Sequence, residues 1–485
     1  LHVPRKKPTR KITPIIAARL NGRFSLQMQA DGSIAAVSGD YSVGLGQFSA
    51  AAIARAGHLA SGLPLASLAG KSVLAGQVHV LVRRLAQHGL LDYRLFSPRD
   101  AQDLVVIEPQ VAEYWPQRAK LSSSDTIVLS RFAYLRRRGN EMVLESPRAG
   151  ALFRICDPAV AATLAALSQP QKISKLRKQV PSLNLDLLGL LLDSEMLIKL
   201  DTKDRDGLRA NEGNRNLVLW DFHDLVFHTR STEGRHTDPV GGAYAHAGVV
   251  PPLPAVRPPW PGKKISLGKF ATPDPASSFA KLLRERHSTR DFDDQHPITL
   301  TELAQFLDTT ARVLSKWKSG ADVNGGLEVA YSSRPYPAAG SAYELELYLT
   351  VSNCEGLARG LYHYDAGGHA LVAIDASAQQ LQALSMAAEF AMGASGPPQI
   401  LITIAARFGR ISWKYSAIAY SLILKDVGCM IQTFYLAATD MGLGGCAIGT
   451  GNIDLFAKMT GLEFHVEGPV GQFALGRGRK PASLG

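Results

Sequence analysis

Lys414 and Tyr415 stand side by side, just after Trp413 and just ahead of a long amphipathic stretch that ends in Met441-Gly442-Leu443-Gly444-Gly445. Both side chains can give or take a proton in a reacting site. The paired glycines Gly444 and Gly445 leave backbone that a flat ring can approach closely. Well upstream, Arg286-His287-Ser288-Thr289-Arg290 gathers anion donors into one short run. Two guanidiniums can each offer paired donors to a phosphate, and the Ser288 hydroxyl adds a third. The two sets together suggest a flavin phosphate site and a redox site in one domain.

Two further segments belong with them. Leu475-Gly476-Arg477-Gly478-Arg479 flanks Arg477 and Arg479 with glycines, which permits close backbone approach to an anion. Arg334-Pro335-Tyr336-Pro337-Ala338-Ala339-Gly340-Ser341 ends in small residues against which a ring edge or a ribityl chain can lie. Taken singly, each has a bland reading: arginines near a helix end are often solvated or ion-paired, and a run of small residues is often a tight structural turn.

The elements that must position these residues follow from periodicity. Ile265 opens a C-terminal domain. Phe279 to Arg286 reads as a short helix, and Thr299 with Glu302 forms a capping box for a helix whose buried face is Leu303, Phe306 and Leu307. Leu345, Leu347, Leu349 and Val351 alternate as a strand does, and the apolar run from Gln399 to Ala405 predicts a central strand. Val427, Met430, Ile431, Phe434, Ala438 and Met441 keep helical spacing. Helices and strands alternate irregularly, which points to α+β. Neither a GxGxxG after a strand nor a P-loop occurs, so a Rossmann or P-loop nucleotide site is unsupported.

Ahead of this domain two segments look alike. The first runs from Phe24 to about Phe96, with a strand at Phe24–Met28, a helix over Gln77–Leu85 and a closing strand at Gly89–Leu95. The second runs from about Ile127 to Leu200, with a strand at Glu141–Glu145, helices at Pro158–Leu167 and Leu185–Leu192, and a closing strand at Glu195–Leu200. That order suits two small winged-helix-like domains. Such units often bind DNA, but the expected recognition helix is poor in Arg, Asn and Gln despite Arg83-Arg84. Docking a peptide strand on a sheet edge is an equally physical use. The resulting division is 1–110 and 111–204 for the two repeats, 205–265 for an irregular connector stiffened by Pro251-Pro252-Leu253-Pro254 and Pro258-Pro259-Trp260-Pro261, and 266–485 for the catalytic domain.

The bulk numbers bound the class. A chain of 485 residues exceeds one ordinary domain, and 46% hydrophobic with 20% charged residues is the balance of a folded protein. The charge of +11 admits nucleic acid or an acidic ligand, but after the first dozen residues no basic run interleaved with aromatics appears, so no nucleic-acid partner is expected. No apolar run is long enough to span a membrane, so no membrane partner is expected. Leu1-His2-Val3-Pro4-Arg5-Lys6-Lys7 lacks both an initiator Met and a following apolar core, so it reads as a trimmed start rather than a secretory signal. The scattered Cys156, Cys354, Cys429 and Cys446 form no CxxC, which fits a reducing cytoplasm and no zinc site. His223 and His228 are spaced five apart, off one helix face, which favours packing or hydrogen bonding over a metal.

Taken in order, an RxSxR cluster, an RPxPxAG turn, WKY and a helix ending in GLGGCAIG resemble the FMN-dependent nitroreductase superfamily over roughly 266–485. Within it the chain looks most like the azoline dehydrogenases of peptide natural-product pathways, the microcin and streptolysin type. With the two N-terminal repeats and the FHDLVFHTRS connector it resembles the cyanobactin thiazoline oxidases. The resemblance implies a homodimer with FMN at the subunit interface. It implies that Arg286, His287, Ser288 and Arg290 hold the phosphate end. Pro337, Ala338, Gly340, Ser341, Gly444, Gly445, Arg477 and Arg479 would line the cofactor, and Lys414 and Tyr415 would be the catalytic pair. The chain departs from the family in having Ser341-Ala342-Tyr343 where a polar residue often follows the small turn.

The activity so implied is dehydrogenation of peptide thiazolines or oxazolines to thiazoles or oxazoles. A base takes the acidic ring Cα proton while the Cβ hydrogen leaves as hydride. Dioxygen is the simplest final electron acceptor. The alternatives are an NAD(P)H-dependent nitroreductase or quinone reductase, a non-catalytic flavin- or peptide-binding regulator, and a DNA-binding flavin sensor.

Overall fold

In a computed structural model, the described residues are 14–39, 41–99, 102–180, 183–200, 212, 215–238, 241–242, 244, 246–259, 261–268, 270, 277–320 and 328–479. The Leu1–Lys7 start and Trp260 of the Pro-rich connector lie outside them. The chain divides into two units, residues 1–226 with 234–237, and residues 227–233 with 238–485. The break falls inside the segment read as a connector.

The first unit consists mostly of antiparallel strands. Strand Ile15–Leu20 lies between Leu63–Pro64 and Leu91–Phe96. Strand Thr126–Leu129 lies in the same way between Gln171–Lys172 and Leu197–Leu200. In both halves the middle strand comes first in sequence, and two successive helices separate its two partners. The helices start where polar residues can cap them: Ser72 before Val73–Gln87, Asp157 with Pro158 at the first turn of Pro158–Ala166, and Asn184 before Leu185–Asp193. The halves share one sheet, because Asp103–Pro109 pairs with Leu91–Phe96 on one side and Ala151–Ile155 on the other. They also share one core, in which Leu85, Tyr93 and Ile107 cluster with Phe153, Leu164 and Leu188. The division expected near residue 110 therefore falls between elements of one continuous sheet.

The second unit is α+β, built on a six-stranded antiparallel sheet. Its order is Ala370–Ile374, Gly360–Asp365, Leu345–Val351, Ile400–Arg407, Glu467–Gly476 and Gly444–Ile448. Ile400–Arg407 is buried along all but its last residue, as its apolar run requires of a central strand. Thr299 and Glu302 form the expected reciprocal capping box on helix Leu300–Ala311. Helix Ala419–Asp440 runs 22 residues, about 33 Å. Its Phe434 meets Phe306 at 5.2 Å and Phe473 at 5.4 Å between ring centroids. That contact ties two helices to the sheet and fixes the long helix that carries residues of both clusters described below. Strands Ser315–Gly320 and Glu328–Ser333 form a separate two-stranded hairpin.

Candidate functional site

The RPYPAAGS segment leaves strand Glu328–Ser333 and becomes a tight turn at Ala339–Ser341. Gly340 has φ +55, and the following Ser341 and Tyr343 have φ of 52 and 47. Positive φ is unfavourable for residues with a Cβ and persists only where the surroundings enforce it. One enforcing contact comes from the long helix: the Ala339 N–H donates to Asp426 Oδ2 at 2.8 Å.

Lys414 and Tyr415 close on this turn from the other side. Phe408 and Ile411 bury the short helix Phe408–Ser412, and the N–H groups of both Lys414 and Tyr415 donate to the Ile411 carbonyl. Arg410 Nε donates to Ala342 O at 2.8 Å, which ties that helix to the residue just past the turn. Lys414 Nζ donates to Gly340 O at 3.3 Å. A Cβ on Gly340 would lie 2.3 Å from Tyr415 Oη and 2.6 Å from Lys414 Nζ. The two proton-transfer groups therefore converge on Gly340, where a side chain would be strained and would push both of them aside. Lys414 itself is exposed, with Nζ 5.7 Å from the centre of the Tyr331 ring.

Under the turn lies a pair of carboxyl groups. Glu344 is fully buried and neither of its oxygens makes a hydrogen bond of normal geometry. Burial, reinforced by the neighbouring Asp426 carboxyl, pushes Glu344 up to about 8. Asp426 is also raised by burial, although the Ala339 N–H favours its charged form. Below the pH at which Glu344 ionises, the pair holds one proton more than two free carboxylates would.

The second cluster forms where the long helix ends. Ser288 Oγ and Tyr435 Oη are 2.8 Å apart, and the Tyr435 oxygen also accepts the Ala447 N–H at 2.8 Å. Arg286 places its guanidinium 5.0 Å from the centre of the Tyr435 ring. The Thr289 N–H donates to Gly445 O at 2.8 Å, so the 286–290 run is stitched to the glycine pair. A cavity of about 790 Å³ is lined here by His287, Thr289, Tyr435, Gly444, Gly445 and Arg479, but not by Arg286, Ser288 or Arg290. Among the described residues neither Arg286 nor Arg290 has a carboxylate partner. Two unpaired guanidiniums beside an anchored hydroxyl make a donor set suited to a phosphate. Asp426 and Tyr435 are nine residues apart on one helix, which separates the two clusters by about 13 Å along its axis.

Several of the expected site residues also have partners within the protein. Arg477 lines the cavity, but its guanidinium is committed: Nη2 donates to both oxygens of Glu302, at 2.7 and 2.8 Å, and Nε donates to His296 O. An ion-paired guanidinium of this kind is a structural tie between the final strand and the capped helix. Among the described residues the Arg479 side chain donates to the Phe292 carbonyl alone. Gly444 and Gly445 line the cavity, yet their lack of a Cβ is also required internally. A Cβ on Gly444 would strike Thr289 at 2.6 Å, and one on Gly445 would strike the Phe473 ring at 2.3 Å. Pro337 and Ala338 sit beside the turn at its exposed side, Pro337 open to solvent and Ala338 partly covered. His287 turns its Nδ1 to the Glu285 carbonyl. His228 is buried against Phe408 and within 3.1 Å of Tyr420 Oη, whereas His223 pairs with Asp221 in solvent.

Asp426, Glu344 and Tyr435 were not singled out from sequence. Asp426 has a signal, being an acid on the same helix face as Ile423, Val427 and Met430. Glu344 hides behind the alternation of Leu345, Leu347 and Leu349, which assigns it to the face occupied by Glu346.

Residues 127–237 match the family model described as cyanobactin oxidase ThcOx, and residues 283–477 match that of the nitroreductase family. A Methanocaldococcus jannaschii protein named as a nitroreductase is 31% identical over 168 residues, covering 35% of this chain and 76% of that protein. Among solved structures, the Escherichia coli microcin synthetase McbBCD complex with truncated pro-MccB17 bound is matched over 57% of this chain and 100% of the other, at 19% identity and a TM-score of 0.39. A Ralstonia eutropha protein named as a nitroreductase is matched over 44% of this chain and 89% of the other, at 23% identity and a TM-score of 0.32.

Proposed function

The chain belongs to the nitroreductase family and carries a cyanobactin-oxidase segment ahead of its catalytic unit, and from this premise we propose that it is an oxidoreductase that converts peptide azolines to azoles. The observation that carries this reading is the convergence of Lys414 Nζ and Tyr415 Oη on Gly340. Dehydrogenation of an azoline needs a base at the ring Cα and a hydride acceptor at Cβ, and this pair supplies the base.

The donor set at Arg286, Ser288 and Arg290, with Ser288 anchored on Tyr435, fits the phosphate of FMN. FMN, when bound, supplies the hydride acceptor. Arg286 and Arg290 neutralise the phosphate, and Tyr435 holds the Ser288 hydroxyl in place. The Gly340 turn holds the Lys414 amine by its carbonyl, which keeps a proton-accepting nitrogen beside the substrate ring once that amine is neutral. Tyr415 relays the proton or takes it directly. General-base help of this kind is worth roughly 10²–10⁴ in rate.

The substrate is a peptide, recognised through the antiparallel N-terminal unit. Its two strand-ordered halves suit winged-helix-like peptide recognition. Helix Ser278–Glu285 buries none of its residues and exposes Phe279 and Leu283, which supports a second copy of the chain as its cover and hence a homodimer. Dioxygen returns the enzyme to its oxidised form. Substitution of Lys414 by Ala tests the assignment: with FMN still bound, turnover falls by roughly 10²-fold or more, and unchanged turnover would remove Lys414 from the chemistry.

A further inference from the structure

Beside Lys414 lies a second cavity, of about 610 Å³, that the reaction as described leaves unused. Its outer wall is the hairpin of Ser315–Gly320 and Glu328–Ser333. Trp317 and Tyr331 face each other across the hairpin with rings stacked at 5.8 Å and 18°. The Tyr331 ring also lies 5.7 Å from the Lys414 amine, and Ala342 and Tyr343 of the strained turn line the same space. The cavity and the proton-transfer pair are therefore neighbours within one unit.

Its charge is one-sided. Lys316, Lys318, Arg334, Arg407 and Arg410 line it, against the single acid Asp365. The N–H groups of Gly367 and Gly368 donate to its Oδ1 at 3.0 and 3.1 Å and hold it charged, and that charge also acts on Lys316. Lys318 is neutralised by Glu328 at 3.0 Å, and Arg334 and Arg407 share Glu346 at 3.9 and 3.6 Å. Arg410 donates only to the carbonyls of Ala342 and Ala330, and Lys316 has no ion pair within 4.0 Å among the described residues. Lys316 and Arg410 thus outweigh the one acid, Asp365, and leave net positive charge for an anion.

The hairpin also has a free edge. Among the described residues strand Ser315–Gly320 pairs only with Glu328–Ser333, and all six of its residues are exposed. Such an edge offers backbone donors and acceptors to an extended chain, with side-chain selection left to adjoining pockets. An edge strand, a stacked aromatic wall and a net positive lining together suit a peptide with a carboxylate better than a nucleotide, which has no use for the strand edge.

We propose that this cavity binds a carboxylate of the peptide substrate flanking the reacting ring, with Lys316 and Arg410 as its cationic partners and the Ser315–Gly320 edge alongside the peptide backbone. The inference rests on the azoline-oxidase reading and adds a specificity site to it. The test uses the full chain loaded with FMN and three fluorescein-labelled thiazoline peptides of one sequence. One has Glu after the ring and an amidated end, one has Gln and a free C-terminal carboxylate, and one has Gln and an amidated end. Fluorescence anisotropy should give at least tenfold tighter binding for one or both carboxylate peptides than for the neutral one, and which of the two gains identifies the source of the charge. Lys316→Glu, at an exposed position, should abolish that preference and leave the neutral peptide's Kd unchanged. Equal Kd values for all three peptides, a preference that survives Lys316→Glu, or displacement of the Glu peptide by NADPH would each overturn the proposal. If the carboxylate preference is present but no peptide is oxidised, the azoline-oxidase reading fails and the binding site stands. If all three are oxidised and bound alike, the reverse holds.

Discussion

Lys414 donates from Nζ to the carbonyl oxygen of Gly340 over 3.3 Å, across a Cα that a methyl group cannot share with Tyr415 Oη. The glycine is thus required twice, by its φ of +55 and by the space its missing side chain leaves to the proton-transfer pair. Gly340→Ala should displace both groups. The expected result is a loss of turnover of roughly 10²-fold, since misplacement by an ångström costs about that much. FMN should still bind, because the anion donors lie about 13 Å away along the helix. Retention of full activity in Gly340→Ala would show that the contact has no part in catalysis.

The Glu344–Asp426 pair gives a pH signature. Glu344 is raised by burial and by Asp426 from the ordinary carboxylate range to about 8 in the folded protein. Between the ordinary value and about 8 the native state therefore holds a proton that the unfolded state has released, so stability falls as pH rises through that window. Glu344→Gln removes the titrating group and keeps the shape. The melting temperature of the wild type should drop between pH 6 and pH 8 by about 3 °C or more beyond the drop in the variant. Parallel melting curves at both pH values would contradict the assignment.

Arginines that look equivalent in sequence should separate by experiment. Arg286→Ala and Arg290→Ala each remove an unpaired guanidinium and should weaken FMN binding by roughly 10- to 100-fold, as loss of a charge-assisted hydrogen bond does. Arg477→Ala instead breaks the pair with Glu302 and leaves the capping-box acid without its cation. It should lower the melting temperature and change FMN affinity less than either of the other two. Flavin fluorescence on titration with FMN, beside thermal melts, distinguishes the two outcomes. A larger affinity loss for Arg477→Ala than for Arg290→Ala would reverse the roles.

Phe434 sits at 0% exposure between Phe306 and Phe473. Phe434→Ala should cost about 3–5 kcal/mol of stability. Because Asp426 and Tyr435 ride the same helix, it should also loosen FMN binding and turnover together. A large loss of stability with FMN affinity unchanged would show that the two clusters do not depend on the helix core.

Much of this was readable in advance where a local rule acts alone. The capping box at Thr299 and Glu302, the apolar central strand at Ile400–Arg407 and the helix through Val427, Met430 and Phe434 each follow from short-range pattern. The shared sheet of the first unit did not show, because it depends on long-range pairing between Asp103–Pro109 and Ala151–Ile155. Residue types alone could not separate Arg477 from Arg290, since the difference lies in Glu302, far away in sequence. In the sequence the glycines stand out for what can approach them from outside. The structure adds what already lies against them: Thr289 at Gly444, Phe473 at Gly445, and the Lys414–Tyr415 pair at Gly340.

The most direct measurement is mass spectrometry of a thiazoline-containing peptide incubated under air with the FMN-loaded protein. The account requires a loss of two hydrogens per ring, and a much slower loss with Lys414→Ala. An unchanged peptide mass, from a protein that holds FMN and is bleached by NAD(P)H, would contradict it.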